Sequence, residues 1–207
     1  MIGVDVGGTF TDVVAVRDGR VQVTKVSSDP SKLRDAVIEG ARRLGVEGST
    51  VFNHASTQGL NALLTRRLPK IGFLTSAGHR DMLDAGRCWR PFDGQLDPRW
   101  RRPFGDAARP IVPRYLRRGV EERILADGSV LTPLDIEQAR AELEVLKRCG
   151  VQGVAICLLH SYANGSHERL LASLAREVLG DIPMSVSSEV SPRAKEFSRA
   201  STTVVDA

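Results

Sequence analysis

Apolar and polar residues follow one another along the first part of the chain in a way that is typical of β-strands joined by tight turns. An apolar run at Ile2–Val6 precedes Gly7 and Gly8, a second run occupies residues 13–16, and Asp18-Gly19 separates it from a third alternating segment. An Asp-Gly pair between alternating apolar positions favours a two-residue hairpin turn. The pattern therefore predicts a three-stranded antiparallel meander whose first bend holds the glycine pair.

Helical periodicity follows the meander. Apolar residues recur every three or four positions between residues 33 and 44, and Gly45 ends the segment, which predicts a helix. The other elements predicted in this part of the chain are strands at 51–52 and 71–74 and helices at 60–67 and 78–85.

Periodicity disappears between residues 87 and 118, a stretch with five prolines and both tryptophans. We expect a long irregular excursion that faces a partner, because long loops are usually functional and Trp and Arg are enriched at interfaces. Arginines among aromatic residues also suggest single-stranded nucleic acid. Three interspersed aspartates dilute that charge, so we expect no nucleic-acid partner.

Strands and helices alternate in the last part of the chain. A hairpin is expected around Asp127-Gly128, a helix capped at Thr132-Pro133, and a buried strand at 151–159 because that run is almost continuously apolar. The remaining predicted elements are a helix at 166–179, a strand at 184–187 and a final helix from Ser191. Such alternation predicts a mainly parallel sheet. Ligands of such sheets bind beyond the carboxyl ends of strands, which makes His160 a candidate site residue.

The composition is that of an ordinary globular protein. Of 207 residues, 42% are hydrophobic and 26% charged, and the net charge is +4, which does not by itself require nucleic acid. No apolar run approaches the roughly 20 residues of a membrane helix, and we recognise no signal peptide. Three scattered cysteines without CxxC spacing fit a reducing compartment. We therefore expect a cytoplasmic protein without a membrane partner.

The first turn carries the most specific chemical pattern of the sequence. A strand-terminal carboxylate, two glycines, two hydroxyls and a second carboxylate occur in order, at Asp5, Gly7, Gly8, Thr9, Thr11 and Asp12. Backbone N–H groups in a glycine turn can surround an anion, and a carboxylate at its mouth can hold a hydrated Mg²⁺. The pattern indicates a site for nucleotide phosphates, with Asp5 as the metal residue. A hairpin whose turn merely requires glycine is the alternative interpretation.

Several other classes of site are disfavoured. The turn lacks the Gly-Lys-Ser/Thr of a Walker loop and the third glycine of a dinucleotide fingerprint. Ser56 and Ser161 have no Gly-x-Ser-x-Gly setting. His79, Asp81 and Asp84 have spacings that do not build a convincing metal site.

A second group of polar residues follows the strand predicted at 51–52. We consider His54, Ser56, Thr57 and Asn61, together with His160, as candidate substrate contacts. A hydrogen-bonded loop histidine is an equally good interpretation of His54. Glu168 is interpreted as an acidic residue near the start of a helix, where the helix dipole favours a negative charge.

Segments from end to end resemble the N-terminal region of the A-type subunit of the hydantoinase/oxoprolinase family. Its relatives include N-methylhydantoinase, oxoprolinase and the acetone and acetophenone carboxylases. The matching segments are Asp-Val-Gly-Gly-Thr-Phe-Thr-Asp at 5–12, Leu-Leu-His-Ser-Tyr-Ala-Asn at 158–164, and residues 61–64, 72–75, 78–81, 127–128, 133–135, 167–168, 187–190 and 199–204.

The resemblance implies an α/β fold, namely the N-terminal half of an actin-like (ribonuclease H-like) ATPase. It also implies that ATP, with Mg²⁺, phosphorylates an amide or carbonyl oxygen of a cyclic amide or ketone, which is then hydrolysed or carboxylated with a B-type subunit. By motif position, Asp5 would organise Mg²⁺ and Asp12 would orient the loop or a water. The residues that would contact phosphates are Gly7, Gly8, Thr9 and Thr11.

Two departures from the family pattern affect these expectations. Family members commonly read His-Gly-Thr-Thr where this chain reads His-Ala-Ser-Thr at 54–57, which could narrow that loop. No second Asp-x-Gly-Gly is found, so we expect the second ATPase half to be absent from this chain. We therefore expect the isolated chain to be inactive and the missing C-terminal half to be a partner.

These patterns divide the chain into a phosphate-loop unit at 1–86, the excursion at 87–118 and a second α/β unit at 119–207. Two further functions stay open at this point. One is a sugar or small-metabolite kinase of the same superfamily, which the segments after residue 50 disfavour. The other is a non-catalytic fragment that only binds a partner.

Overall fold

The computed structural model describes residues 1–29, 32–45, 49–85 and 111–207. These residues form two compact units, Met1–Leu68 and Pro69–Ala207. Most of the predicted excursion, residues 87–110, lies outside the described residues.

The first unit is built on a four-stranded mixed sheet. Its strands are β1 (Ile2–Val6), β2 (Phe10–Arg17), β3 (Arg20–Ser27) and β4 (Phe52–Ser56), in the order β3-β2-β1-β4. Strands β1 to β3 form the predicted antiparallel meander, and β4 is parallel to β1. The predicted order of strand, glycine turn and strand is thereby confirmed.

Strict alternation in β1 and β2 decides which side chains face the core of this unit. The apolar positions are buried on one face, where they pack against helix α1 (Leu33–Arg43). The buried residues of this face are Ile2, Val4, Val6, Val13 and Ala15. Because successive side chains in a strand point to opposite faces, the same alternation turns Asp5 and Asp12 away from that core.

The second unit contains β5 (Ile71–Ser76), β6 (Arg117–Val120), β7 (Arg123–Ile124), β8 (Val130–Thr132), β9 (Gly153–Ile156) and β10 (Met184–Val186). Four of these strands form a parallel sheet in the order β10-β9-β5-β6, and β7 and β8 form a small hairpin. The predicted parallel sheet and hairpin are therefore confirmed. The unit begins at residue 69, earlier than the boundary predicted near 86, because β5 pairs with β6 and β9.

Helices cover this parallel sheet and bury an apolar core. They are α3 (Met82–Ala85), α4 (Ile136–Arg148), α5 (Ser166–Leu179), α6 (Ser187–Val190) and α7 (Glu196–Asp206), while α2 (Gln58–Thr65) belongs to the first unit. Phe73 and Leu74 of β5 are fully buried among apolar residues of α4, α5 and α7. No helix in the described ranges is long and apolar enough to cross a bilayer.

Several predicted boundaries are wrong by a few residues. Helix α4 is capped by Asp135, whose side chain accepts the N–H of Gln138 at 2.9 Å, and not by Thr132, which is the last residue of β8. The last helix begins at Glu196 instead of Ser191, since 187–190 form a separate short helix.

Three strands also differ in extent from their predictions. The segment 53–56, predicted as a loop, continues β4 because it pairs with β1. Strand β6 begins at Arg117, inside the predicted excursion, because it pairs with β5. Strand β9 ends at Ile156, since the N–H groups of Leu158 and Leu159 bond to side chains instead of a neighbouring strand.

Candidate functional site

The turn between β1 and β2 has no room for a side chain at Gly7. The N–H of Gly7 donates to the carbonyl oxygen of Phe10 at 3.0 Å and closes the turn. A Cβ atom on Gly7 would lie 2.8 Å from that oxygen, and one on Gly8 would lie 3.0 Å from Nδ2 of Asn61. Close approach of the Phe10 backbone therefore explains Gly7, while the side chain of Asn61 lies against Gly8.

The two carboxylates of the motif are direct neighbours across the sheet. Asp5 of β1 is paired in register with Asp12 of β2. Asp12 forms an ion pair with Lys25 of β3, with Nζ 3.0 Å from Oδ1. Asp5 is exposed and makes no side-chain hydrogen bond or ion pair within the described part of the chain. Asp5 is thus a carboxylate with free lone pairs beside the glycine turn.

The two threonines of the turn have different surroundings. Thr11 is fully buried and its Oγ1 lies 2.8 Å from Oγ of Ser28, so its hydroxyl already has a partner inside the unit. Thr9 is exposed, and its carbonyl oxygen accepts the N–H of Ser28 at 2.9 Å. These bonds tie the turn to the segment after β3 and leave the Thr9 hydroxyl at the surface.

The second polar group lies beside the turn because β4 runs parallel to β1. The N–H of Thr57 donates to the carbonyl of Val6 at 3.3 Å, and Asn61 Nδ2 donates to Thr57 Oγ1 at 3.3 Å. Ser56 accepts the N–H of Gln58 at 3.2 Å. The structure therefore brings Ser56, Thr57 and Asn61 to the edge of the sheet that holds the glycine turn.

The side chain of His54 makes no hydrogen bond or ion pair with any residue that the structure describes. It is paired in register with Val4, and side chains at paired positions share a face of the sheet. His54 therefore lies on the face opposite to Asp5, where it is exposed.

His160 lies in a different place, at the carboxyl edge of the parallel sheet in the second unit. There a cleft of about 610 Å³ opens beyond the ends of β5 and β9, and His160 is one of its lining residues. The backbone of His160 has φ 54°, a left-handed conformation that is uncommon for a residue with a side chain. Its ring makes an edge-to-face contact with Tyr162 at 5.9 Å between centroids.

A buried carboxylate holds the backbone that leads into His160. Glu168 is fully buried and accepts the N–H of Leu158 at 2.8 Å, the hydroxyl of Ser187 at 2.6 Å and the N–H of Ser188 at 2.8 Å. The buried Arg199 donates to the carbonyl of Leu158 at 2.6 Å. The sequence suggested only that Glu168 is a charge at the start of a helix. The structure shows that its buried carboxylate also binds three donors from two other segments.

A second buried chain of hydrogen bonds joins Ser76, Glu122 and His167. The hydroxyl of Ser76 donates to one Glu122 oxygen and accepts the N–H of Leu159 at 2.9 Å. Nδ1 of His167 lies 2.8 Å from the other oxygen of Glu122. Neither Glu122 nor Arg199 was predicted to have a role. Glu122 lies between the charged residues Glu121 and Arg123 and looks solvated in the sequence, whereas Arg199 begins one of the segments that resemble the family.

Asp81 of the cleft lining and Asp84, three residues further along the chain, are paired with arginines. Arg114 binds Asp81 with both Nε and Nη2, at 2.8 and 3.1 Å, and these bonds hold the pKa of Asp81 below its usual value. Arg117 binds Asp84 in the same bidentate way, at 2.7 and 2.9 Å. Across the described residues, no three or more His, Cys, Asp or Glu side chains form a group that could hold a metal ion.

A sequence model of a protein family, described as the hydantoinase/oxoprolinase N-terminal region, matches residues 1–179 of this chain. The whole chain is 34% identical to the acetophenone carboxylase gamma subunit of Aromatoleum aromaticum and 35% identical to the caprolactamase subunit alpha of Pseudomonas jessenii. The chain belongs to this hydantoinase/oxoprolinase family, as the sequence resemblance predicted, and corresponds to its N-terminal region. It spans about 30% of the length of each of these two relatives.

Solved structures agree with this assignment. A nucleotide-free acetone carboxylase, described in connection with ATP-dependent acetone carboxylation, has a TM-score of 0.83 at 29% identity over 99% of this chain and 31% of its own. The ATP-dependent caprolactamase from Pseudomonas jessenii has a TM-score of 0.78 at 34% identity, over 99% of this chain and 30% of its own. The α/β fold with a mixed sheet is therefore that of these enzymes' corresponding regions.

Proposed function

We propose that this chain is the nucleotide-phosphate-binding region of an ATP-dependent enzyme that acts on a cyclic amide or a related carbonyl compound. The observation that carries the proposal is the free carboxylate of Asp5 beside the closed glycine turn. Two relatives with solved structures are described as ATP-dependent, and their names concern a lactam and a ketone. The family membership supports this function over that of a sugar kinase.

The residues of the turn fit a phosphate group with a hydrated Mg²⁺. Gly8 and Thr9 are exposed in this turn, so a ligand can reach their backbone and the Thr9 hydroxyl. Mg²⁺ keeps several waters and needs one or two carboxylates. Asp5 can supply one, because its side chain has no hydrogen bond or ion pair with any residue that the structure describes. When bound, the metal neutralises charge on the phosphates.

The neighbouring residues support the turn. Asp12 is paired with Lys25, so we assign it the orientation of the loop. Thr11 anchors the turn to Ser28 through its buried hydroxyl. Asn61 packs against Gly8 and bonds to Thr57, which makes Thr57 and Asn61 the residues of the second polar group best placed to contact a phosphate.

The complete enzyme would need more than this chain. Because the chain spans about 30% of its relatives, we assign the adenosine pocket and the rest of the reaction to the C-terminal part of an A-type chain. A B-type subunit would act with it, since the relatives named here are themselves subunits.

The proposal is tested by titrating the ¹⁵N-labelled chain with MgATP and with MnATP while recording amide spectra. We expect shifts at Gly7, Gly8 and Thr9, and paramagnetic broadening by Mn²⁺ around Asp5. In Asp5→Asn the metal-dependent broadening should disappear and MgATP affinity should fall roughly tenfold, or about 1.4 kcal/mol.

Asp18→Asn is the matched control, because it makes the same charge change at the far end of β2. Asp18 has φ 48°, and asparagine tolerates this left-handed conformation as well as aspartate does. MgATP affinity should be unchanged in this variant. Normal affinity and normal broadening in Asp5→Asn would contradict the metal role, and a failure of ATP to shift the turn in the wild-type chain would contradict phosphate binding.

A further inference from the structure

A row of three charged side chains crosses the sheet of the first unit next to the glycine turn. Asp5 of β1 is paired in register with Asp12 of β2, and Asp12 is paired in register with Lys25 of β3. Side chains at directly paired positions share a face of the sheet, so all three lie on the face opposite to the core. Two negative charges and one positive charge therefore lie side by side at the end of the sheet that holds the turn.

The ammonium group of Lys25 is held from two sides. Its Nζ lies 3.0 Å from Oδ1 and 3.3 Å from Oδ2 of Asp12. It also lies over the ring of Phe10, 5.1 Å from the centroid, within the roughly 6 Å at which an aromatic face attracts a cation. Phe10 is the residue whose carbonyl oxygen closes the glycine turn. Two attractions therefore hold the charge of Lys25 beside this turn.

The backbone after Lys25 is fastened to the turn through Ser28. The N–H of Ser28 donates to the carbonyl oxygen of Thr9 at 2.9 Å. Its buried Oγ lies 2.8 Å from Oγ1 of Thr11. Because the end of β3 is bound to the turn at these two points, Lys25 keeps a fixed position relative to it. Such support is what a preorganised binding site requires.

Lys25 keeps donor capacity for a ligand. A lysine ammonium has three N–H donors, and within the described part of the chain its hydrogen-bond acceptors are the two oxygens of one carboxylate, that of Asp12. The side chain of Lys25 is 56% exposed. A ligand at the turn can therefore reach an ammonium N–H that has no acceptor among these residues.

The charges of the row require a cation at this position if the turn is to bind phosphates. Like charges at paired positions of neighbouring strands repel each other, and the carboxylates of Asp5 and Asp12 would also repel an anionic ligand. A hydrated Mg²⁺ at Asp5 neutralises one of them. Lys25 neutralises the other, because it forms an ion pair with Asp12.

We propose that Lys25 binds a phosphate group of the nucleotide through its remaining N–H donor and that Asp12 positions its ammonium group; this proposal rests on the function proposed above. The motif in the sequence did not indicate Lys25, which lies 13 residues beyond Asp12 and reaches it only through the pairing of β2 with β3. The competing interpretation is an ordinary ion pair on the surface of a sheet, which would contribute little to stability or binding.

The first test is lysine acetylation of the 207-residue chain, with rates read by peptide mass spectrometry. Saturating MgATP should slow the acetylation of Lys25 several-fold and leave that of Lys147, an exposed lysine of α4, unchanged. Magnesium tripolyphosphate, which has phosphates but no nucleoside, should protect Lys25 as well. Absence of protection by MgATP, or protection by MgATP alone, would overturn the phosphate contact.

Variants test the same contact independently of labelling. Lys25→Gln should weaken MgATP binding at least roughly tenfold, because a hydrogen bond to a charged group is lost, whereas Lys25→Arg keeps the charge and should retain most of the affinity. Arg20→Gln is the matched control, because it removes the same charge from an exposed position at the other end of β3. Equal affinities of Lys25→Gln and Arg20→Gln would leave only the ordinary ion pair and overturn the proposal.

Urea unfolding separates a binding effect from a loss of structure. The Lys25–Asp12 pair is exposed, so Lys25→Gln should change stability little. At saturating MnATP, Lys25→Gln should still show broadening around Asp5, because its metal residue is intact. Normal MgATP shifts at the turn without protection of Lys25 would refute this inference alone, whereas absence of those shifts in the wild-type chain would refute the phosphate site itself.

Discussion

Replacing Glu168 by glutamine keeps the size of a fully buried side chain and removes its charge. The carboxylate accepts three hydrogen bonds, two from the N–H groups of Leu158 and Ser188 and one from the hydroxyl of Ser187, at 2.6 to 2.8 Å. A glutamine can accept only through its carbonyl oxygen, and its NH₂ group must face at least one of these donors. At least one buried donor therefore loses its acceptor.

The expected loss of stability follows from these bonds. A hydrogen bond to a charged group contributes about 1.5–3 kcal/mol, and a buried donor left without an acceptor costs about 1–3 kcal/mol. We therefore expect Glu168→Gln to lower the free energy of unfolding by about 2–4 kcal/mol. That is a large part of the roughly 5–15 kcal/mol available to a typical protein.

Urea unfolding followed by circular dichroism at 222 nm measures the loss, and Glu177→Gln on the same helix is the control. Glu177 is 62% exposed and pairs with Arg140 at 2.9 Å, so its replacement should change stability by less than about 1 kcal/mol. Hydrogen exchange at the amides of Leu158 and Ser188 localises the effect, because these two N–H groups bond to different oxygens of Glu168. At least one of the two amides should exchange faster in Glu168→Gln, and neither should in Glu177→Gln.

Equal stability losses in the two variants would refute this reasoning. They would mean that the buried carboxylate stabilises the protein no more than a surface charge does. Unchanged exchange at both Leu158 and Ser188 would further show that these two segments do not depend on the charge of Glu168.

Three further predictions concern the turn, a thiol and turnover. Gly7→Ala should abolish the MgATP-induced shifts, because the new Cβ would lie 2.8 Å from the Phe10 oxygen, whereas Gly59→Ala, which meets nothing within 4 Å, should leave them unchanged. Burial raises the pKa of the Cys157 thiol, and only the thiolate reacts with iodoacetamide. At pH 8 iodoacetamide should therefore modify Cys157 at least roughly tenfold more slowly than the partly exposed Cys149. Peptide mass spectrometry measures the two rates. Equal labelling of the two cysteines would contradict the burial argument. Because the Cys157 thiol ionises at a lower pH in the unfolded chain than in the folded chain, the free energy of unfolding should also fall as the pH rises through the ordinary thiol pKa. The isolated chain should hydrolyse ATP negligibly in a phosphate-release assay, because efficient transfer requires a clamped and shielded nucleotide, and steady turnover that Asp5→Ala abolishes would show that the reaction needs nothing beyond this chain.

Local patterns in the sequence were sufficient for much of the fold. The meander could be predicted because alternation and the Asp18-Gly19 turn act over a few residues, and helix α5 was predicted with its observed bounds, 166–179. The position of Asp5 beside the glycine turn could be predicted for the same reason, since the turn joins adjacent strands. The family followed from motifs spread along the chain, which the comparison then confirmed.

Tertiary structure decided what depends on residues far apart in the chain. Glu168 binds residues 10 to 20 positions away, and Glu122 binds Ser76 and His167 at separations of 46 and 45. No local pattern distinguishes such a buried carboxylate from a solvated one, because its burial depends on the packing of α5 against the ends of β9 and β10. The placement of His54 opposite Asp5 likewise required the register of β4 on β1, since a shift of one residue would reverse the face on which every side chain of that strand lies.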